Sequence, residues 1–294
     1  MSSITDVAPV PATRTPRGAP RRARKPQGSA LLGVVAWLVG ILFVLPVLWM
    51  VLTSLHSEPN AATNPPSVFA PLTLQGYREF FGGVSPWPPL LNSLTAAVLS
   101  TVVVLLLSIP AAYALSIRPV RKWTDVMFFF LSTKMLPFVA GLLPIYLFAQ
   151  FSGLLDNVWF LALLYTSMNL PIAVWMMRSF LAEVPVEILE AASVDGAGLI
   201  RTLRQVVVPV ILPGIAATSL ICFIFSWNEL LFARVLTGTR AETAPVFLTS
   251  FVTSQGLFLA QVCAASFVVS LPVLIAGFAA QDKLVQGLSL GAVK

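Results

Sequence analysis

The sequence predicts an all-α integral membrane protein with six transmembrane helices and both termini in the cytoplasm. Of the 294 residues, 57% are hydrophobic and only 10% are charged, whereas an ordinary soluble domain carries about 25% charged residues. The mean hydropathy is +0.88. Apolar stretches of about 20 residues, the length that crosses a bilayer as a helix, recur along the chain. We therefore expect most of the chain to lie in lipid.

The predicted spans follow one another with short connections. They are Ser29–Leu52, Leu90–Ile117, Trp123–Gln150, Trp159–Met177, Pro213–Phe232 and Gln261–Ala280. A brief turn at Gly153–Asn157 is all that separates spans three and four. Residues 1–28 are rich in Pro, Arg, Ala and Ser, a composition that cannot form a core, so we expect a disordered basic cytoplasmic tail. Residues 29–294 would then form a single membrane domain.

The distribution of positive charge predicts the orientation. With the N-terminus inside, the cytoplasmic segments hold 14 of the 18 Lys and Arg residues. The outer loops hold Arg78, Arg234 and Arg240, and Lys134 falls within span three. Lys and Arg are enriched in cytoplasmic loops, so both termini are predicted to lie inside. Anionic lipid headgroups account for the net charge of +6 without a nucleic-acid partner.

The sequence lacks the side-chain sets of several enzyme classes. No G-x-x-x-x-G-K-[ST] phosphate-binding loop occurs, so the chain is not expected to hydrolyse ATP by that route. His56 is the sole histidine, which excludes the H-E-x-x-H zinc motif. Cys222 and Cys263 both fall within spans and are interpreted as packing residues. We expect no enzyme activity, no metal and no cofactor bound by this chain.

A polar segment between spans four and five is the most informative part of the sequence. It reads EAASVDGAGLIRTLRQVVVPVILP over residues 190–213. Pro185 can begin a helix because its missing amide hydrogen leaves no donor unpaired, and Glu187 then lies in the first turn, where the helix dipole favours an acid. Gly196 suits a position with positive φ, so the first helix should end near Asp195.

A second short helix is predicted over about Leu199–Val206, with Pro209 as its stop. Two short helices joined at a glycine would make a compact knob on the cytoplasmic side. Its predicted apolar face consists of Ile188, Ala191, Ala192 and Ile200. The alternative is an ordinary amphipathic loop that lies on the membrane surface.

The spacing of this segment carries a family resemblance. Glu190-Ala-Ala, three residues, Gly196, nine residues and Val206-x-Val208-Pro209 resemble the coupling loop of ABC-importer permeases. From about residue 30 onward the chain is similar to the maltose-type carbohydrate permeases, in particular to the second permease of such pairs. Further segments carry that resemblance: Asn92-Ser93-Leu94, Ala111–Leu115, Met135–Pro137, Leu143–Tyr146, Phe180, Val184-Pro185, Ser226–Glu229 and Leu284–Lys294.

The resemblance implies a type I ABC-importer permease fold in the bacterial cytoplasmic (inner) membrane. It implies a second homologous permease, an ABC ATPase dimer that binds ATP and Mg²⁺, and an extracytoplasmic substrate-binding protein as partners, besides membrane lipid. The coupling loop, about 185–209, would dock on the ATPase. The residues expected to serve that contact are Glu187, Glu190, Ala191, Ala192, Asp195, Gly196, Ile200 and Pro209.

Three strings are most similar to the polyol branch of this family, whose members take mannitol or sorbitol. They are Ser132–Pro137, Met168–Met177 and Ala244–Phe251. The resemblance therefore implies import of a sugar or polyol.

Polar residues inside the spans are candidates for the substrate pathway, because such groups usually face protein or a water-filled cavity. Lys134 and Glu229 are predicted to approach one another or to face the same cavity; the alternative is that one of them snorkels to a membrane surface. Asn169, Trp227 and Asn228 are candidates for polyol contact. Against this, an intramembrane Asn often bonds a neighbouring helix, and a Trp near a span end often anchors at the interface.

Two other classes of function remain open. An ion-coupled secondary transporter commonly shows internal repeats and more spans, and a non-catalytic membrane scaffold gives no reason for the coupling pattern. Dependence of uptake on ATP and on a partner ATPase separates these alternatives from the importer.

Overall fold

A computed structural model of the protein describes residues 30–63, 68–117, 120–135, 137–253 and 256–292. The predicted tail and its boundary at residue 28 lie outside these residues. Contacts divide the chain into two units at Val47–Leu48, and the packing described below is that of the second unit. The first half of the described residues forms α1 (Ala30–Ser54), α2 (Glu58–Ala61), α3 (Gln75–Gly82), α4 (Trp87–Ser116), α5 (Trp123–Met135), α6 (Phe138–Phe151) and α7 (Val158–Leu181). The segment after α7 forms α8 (Val186–Val194), α9 (Leu199–Thr202), a π-helical turn (Leu203–Val207) and α10 (Val208–Val210). The remainder forms α11 (Leu212–Trp227), α12 (Leu231–Leu236), α13 (Ala244–Leu248), a 3₁₀ turn (Thr249–Phe251), β1 (Val252–Thr253), β2 (Gly256–Leu257) and α14 (Leu259–Ala292).

The described helices agree with the predicted number of spans. Four of them, α1, α4, α7 and α14, are each long and apolar enough to cross a bilayer. Two bent pairs, α5 with α6 and the segment Leu199–Val210 with α11, bring the number to six when each pair counts as one span. The only strands among the described residues are β1 and β2, which form a two-residue antiparallel ladder. The all-α, six-span prediction is confirmed.

The centre of the bundle forms around a stripe of small residues on α4. The stripe recurs every three or four positions and consists of Ala96, Ala97, Ser100, Thr101, Val104, Ser108 and Ala112, all buried. Helices α7 and α11 pack against α4, and Val104, Ala173 and Cys222, one from each helix, form a buried cluster. Lipid is as apolar as a helix surface, so burying apolar side chains between helices gives no hydrophobic driving force there. Membrane helices associate instead by close packing, which small side chains permit because they let the helix backbones approach. Cys222 is a packing residue, as predicted.

One predicted span end is wrong, and two other spans have features that the sequence did not predict. The third span is broken, because Pro137 is extended at φ −63°, ψ 114° and begins α6 as a new helix. The fifth ends at Trp227 rather than Phe232, because Asn228, at φ −89° and ψ 4°, leaves the helical conformation. The sixth continues to Ala292, since a helix can extend beyond the apolar run from which its end was predicted.

The first outer loop folds onto the beginning of α14. The Glu58 carboxylate accepts hydrogen bonds from the amides of Ala260 (3.1 Å) and Gln261 (2.8 Å). These amides lie in the first helical turn, where they have no partner within the helix and where an acid is favoured by the dipole. Helix α3 packs on the same end so closely that a Cβ at Gly76 would lie 2.8 Å from the Ala260 carbonyl oxygen. This part of the loop is therefore an ordered cap on the last span.

Candidate functional site

The first helix of the predicted coupling loop ends in a Schellman motif at Gly196. Helix α8 follows Pro185, has Glu187 in its first turn and is capped at its C-terminus by Asp195. Gly196 has φ +70°. Its amide donates to the Ser193 carbonyl (3.1 Å), and the next amide, that of Ala197, donates to the Ala192 carbonyl (3.0 Å). These are the two bonds by which this motif satisfies the last carbonyls of a helix, so the predicted end of the helix is confirmed.

The second arm of the loop differs from the prediction. Helix α9 passes into the π-helical turn and then into α10, so the helical segment runs through Pro209 to Val210. The Val208 amide bonds the Leu203 carbonyl, five residues back. Pro209 has no backbone N–H to donate. It directly follows Val208, whose hydrogen bond to a carbonyl five residues back already interrupts the usual pattern of bonds four residues apart, so proline is tolerated here. The segment ends instead at Ile211, where it bends by 81° into α11.

The exposed apolar face of the knob is only partly the predicted one. Ile200 is 79% exposed and Val194 is 87% exposed, and Leu199 is exposed beside them. Ala191 is exposed too, but Ala192 is only 7% exposed and packs into the protein. Ala192 was wrongly placed on the outer face, because successive positions on a helix are about 100° apart and the protein covers one of the two alanines. Apolar side chains this exposed on a short polar loop are candidates for contact with another protein or with the membrane surface.

A cavity of about 380 Å³ separates the knob from the membrane helices. Glu190 and Ser193 line it from α8, Tyr113 and Ser116 from the end of α4, and Leu181 from the end of α7. Glu190 itself is exposed. Beside the cavity, Leu189 of α8 and Leu203 of the π-helical turn pack against a buried cluster that includes Tyr113 and Leu181, so the knob also contacts the ends of α4 and α7.

Arg178 joins three helices beside this knob. Its Nε donates to the Leu115 carbonyl at the end of α4 (3.4 Å). Its guanidinium lies 3.9 Å from the centre of the Trp123 ring at the start of α5, a favourable cation–π distance. These contacts of Arg178 were not predicted from the sequence; a basic residue in the last turn of a span, close in sequence to the predicted coupling loop, was the available signal.

Lys134 lines a cavity of about 530 Å³ on the membrane part of the bundle. Leu131, Ile172, Trp175 and Phe225 complete its wall, so α5, α7 and α11 all contribute. The cavity pairs a cationic side chain with two aromatic ones. Among the described residues, no three His, Cys, Asp or Glu side chains converge on a position suited to a metal ion.

Glu229 lies beyond the end of α11 and holds the start of α12. Its two carboxylate oxygens accept the amides of Phe232 (2.9 Å) and Ala233 (3.2 Å). Both amides lie in the first turn of α12, where the helix itself supplies no carbonyl acceptor for them. The sequence predicted Glu229 to lie deep within span five. This is wrong, because α11 ends at Trp227. Its pairing with Lys134 stays a prediction.

The three candidates for polyol contact have different surroundings. Asn169 is 3% exposed, and its Nδ2 donates to the Ser226 hydroxyl (2.9 Å), which also bonds Ser100. Trp227 is 2% exposed and its indole Nε1 donates to the Val269 carbonyl (3.2 Å). Asn228 alone is exposed. The geometry of Asn169 and Trp227 fits helix–helix contact, whereas Asn228 is exposed and its Nδ2 donates to the Ile224 carbonyl of its own helix (2.9 Å).

Replacing Asn169 by alanine is expected to lower stability and leave substrate affinity unchanged. Hydrogen bonds between membrane helices contribute about 0.6 kcal/mol on average and at most about 1.7 kcal/mol. We expect a lower thermal midpoint in detergent and an unchanged apparent KM for uptake. Ser167→Ala is the matched control, because Ser167 lies on the same helix, is exposed and bonds only its own helix. A raised KM with an unchanged midpoint would instead assign Asn169 to substrate contact.

Comparison with known proteins places this geometry in a family. A family model described as "Binding-protein-dependent transport system inner membrane component" matches residues 92–288. The chain is 36% identical over 265 residues to the probable ABC transporter permease protein y4oR of Sinorhizobium fredii, covering 90% of this chain and 95% of that protein. It is 31% identical over 255 residues to the trehalose transport system permease protein SugB of Mycobacterium tuberculosis, covering 85% and 92% of the two chains.

A solved structure supports the same fold. The crystal structure of a bacterial ABC transporter involved in the import of the acidic polysaccharide alginate contains a similar chain, with a TM-score of 0.70 and 23% identity. The match covers 90% of this chain and 100% of that one. With the six-span bundle and the two-helix loop, these matches show that the chain belongs to the family of binding-protein-dependent transport system inner membrane components and is a multi-pass permease of the cytoplasmic membrane.

Proposed function

We propose that this chain is one half of the translocation pathway of an ATP-driven importer for a sugar or polyol. A second, homologous permease would form the other half, two ATPase subunits would dock on the coupling loop, and an extracytoplasmic binding protein would deliver the substrate. The observation that carries the proposal is the knob of α8 to α10, whose first helix ends in a Schellman motif and whose surface exposes Val194 and Ile200.

The chain's own part in this function is to convert a displacement of the knob into a movement of the spans. Nucleotide-driven closure of an ATPase dimer would pull the knob, and the two arms of the knob lead directly into α7 and α11. Both helices contribute to the wall of the Lys134 cavity, so their movement would change its access. ATP and Mg²⁺ would be bound by the ATPase subunits, in keeping with the missing phosphate-binding loop in this chain.

The proposed substrate class is a small carbohydrate. The similarity to a permease named for trehalose supports a sugar, and the three strings that resemble the mannitol and sorbitol branch support a polyol. Lys134, Asn228 and Glu229 are the polar side chains we propose for the pathway, with Trp175 and Phe225 as the aromatic wall of the cavity. Hydroxyl groups need amide or charged partners, and sugar carbons favour an aromatic face.

The test is co-purification of the tagged chain with the products of neighbouring genes, followed by an ATPase assay in lipid. We expect the chain to bring down a second permease and an ATPase, and we expect the binding protein to stimulate ATP hydrolysis when trehalose, mannitol or sorbitol is present. The variant with Glu190→Ala and Gly196→Pro should lose the ATPase from the complex. Stimulation by trehalose but neither polyol would reject the polyol assignment and keep the importer. Absence of any ATPase would favour an ion-coupled transporter or a scaffold.

A further inference from the structure

Asp156 holds an outer loop from 80 residues away in sequence. It lies in the turn between α6 and α7 and has φ +54°. Its Oδ1 accepts the amides of Gly238 (2.9 Å) and Ala241 (2.8 Å), and its Oδ2 accepts the amide of Arg240 (3.0 Å). The Asp156 amide in turn donates to the Leu236 carbonyl (2.8 Å). One carboxylate thus arranges the whole turn that follows α12.

The start of α4 fixes the same loop from its other side. The side-chain Nδ2 of Asn92 donates to the backbone carbonyls of Arg240 and Glu242, both at 2.9 Å. The Ser93 hydroxyl accepts the amide of Ala244 (2.8 Å), the first residue of α13. Hydrogen bonds from the α6–α7 turn and from the start of α4 therefore fix both amides and carbonyls within residues 238–244. We call residues 237–244, with these bonds, the outer clasp.

The charge of Asp156 is well suited to this role. Burial alone would raise the pKa of its carboxyl, but the three backbone amides and the charge of Arg240 outweigh burial and lower the pKa below its ordinary value of 3.8. A carboxyl with a lowered pKa stabilises the folded state at pH above that ordinary value, and the contribution is lost only as pH falls through the lower, folded-state pKa. The clasp is therefore intact across neutral and mildly acidic pH.

The clasp presents an ordered surface on the predicted outer side. Gly238, Thr239 and Arg240 are all exposed, although the backbone that carries them is fixed. Arg240 and Arg234 are two of the three basic residues in the predicted outer loops. A loop with fixed backbone loses little conformational entropy when a partner binds, and a basic side chain on it suits an acidic patch on that partner.

We propose that Asp156 is the positioning residue that holds the outer clasp in the shape that receives the extracytoplasmic binding protein. The inference rests on the proposed function, which supplies that partner. Asp156 acts through the backbone of residues 238–241, and the docking contacts themselves are made by the exposed side chains of the loop. The clasp also joins the outer ends of α4, α7 and α12, so a docked partner would act on all three.

Asp156→Asn is the primary test, in the full complex reconstituted in lipid. Asparagine keeps the shape and one acceptor oxygen, but it places an NH₂ group against the amide of Arg240 or those of Gly238 and Ala241. We expect hydrogen exchange of residues 238–241 to accelerate roughly tenfold or more, as amides lose a charged acceptor. We expect the binding-protein concentration for half-maximal ATPase stimulation to rise by roughly five- to tenfold, with the maximal rate and the unstimulated rate unchanged.

Glu79→Gln is the matched control, because it removes the same charge from an exposed residue of the outer loops, and among the described residues its side chain bonds Gln75 of its own helix. Unchanged exchange in Asp156→Asn would overturn the clasp. Faster exchange with an unchanged half-maximal concentration would overturn docking at this loop. If binding protein fails to stimulate wild type, the proposed function fails while the exchange experiment still tests the clasp.

Discussion

Replacing Gly196 by valine is expected to reduce ATP-driven uptake by about tenfold or more while the protein still reaches the membrane. The backbone of Gly196 has φ +70°, a conformation that costs an ordinary residue about 1–2 kcal/mol and a β-branched residue more. A Cβ there would have nothing within 4 Å. The effect must therefore come from the backbone, which would leave the left-handed conformation and break the two bonds that end α8.

The readouts are uptake into cells and the amount of ATPase that co-purifies with the permease. Both should fall, because the arms of the knob would no longer meet at the same angle. Serine at Gly196 should show a smaller loss, and serine at Gly198 is the matched control. Gly198 also has open space around it but sits at φ −69°, ψ 166°, as the N-cap of α9, where serine is preferred. Equal uptake by the Gly196→Val variant and wild type would reject the knob as the coupling element.

Replacing Gly214 by alanine is expected to destabilise the joint between α7 and α11 by about 1–3 kcal/mol. A Cβ at Gly214 would come within 2.8 Å of three ring carbons of Phe180. The Phe180 ring would therefore have to move. Phe180 lies in the last turn of α7, just before the coupling loop, and Gly214 lies in the first turn of α11, just after the loop. We expect a lower thermal midpoint in detergent and reduced uptake, since this contact joins the two helices that receive the knob.

A double-mutant cycle identifies the cause. Phe180→Leu shortens the side chain that Gly214→Ala would strike, so the double variant should lose less than the sum of the two single losses. Gly277→Ala in α14 is the matched control, because a Cβ there has nothing within 4 Å and alanine is the better helix former by about 1 kcal/mol. Additive losses in the cycle would show that the ring of Phe180 is not the source of the effect.

Several features of this protein follow from short stretches of sequence. The end of α8 was predicted from Gly196 alone. A helix that ends at a residue with positive φ is closed by hydrogen bonds among a few neighbouring backbone groups, so no distant residue is required. The number of spans was predicted from hydropathy, since transfer into lipid depends on the composition of one segment at a time. The coupling motif was recognisable because it is also local: the knob is built from about 25 successive residues. The residues of its outer face do not depend on packing against distant parts of the chain.

Other features depended on residues far apart in the chain. Asp156 gave no signal in the sequence, because its three partners lie 82 to 85 positions away and are backbone amides, which every loop possesses. Asn169 and Trp227 had the polarity expected of substrate contacts, but Asn169 bonds Ser226 of α11 and Trp227 bonds Val269 of α14. Local chemistry thus determined where α8 ends, which segments enter the membrane and where the knob of α8 to α10 lies. Tertiary packing alone decided which polar groups are buried as bonds between helices and which remain open to a ligand or partner, because a hydrogen bond inside a low-dielectric interior depends on which groups the fold brings together.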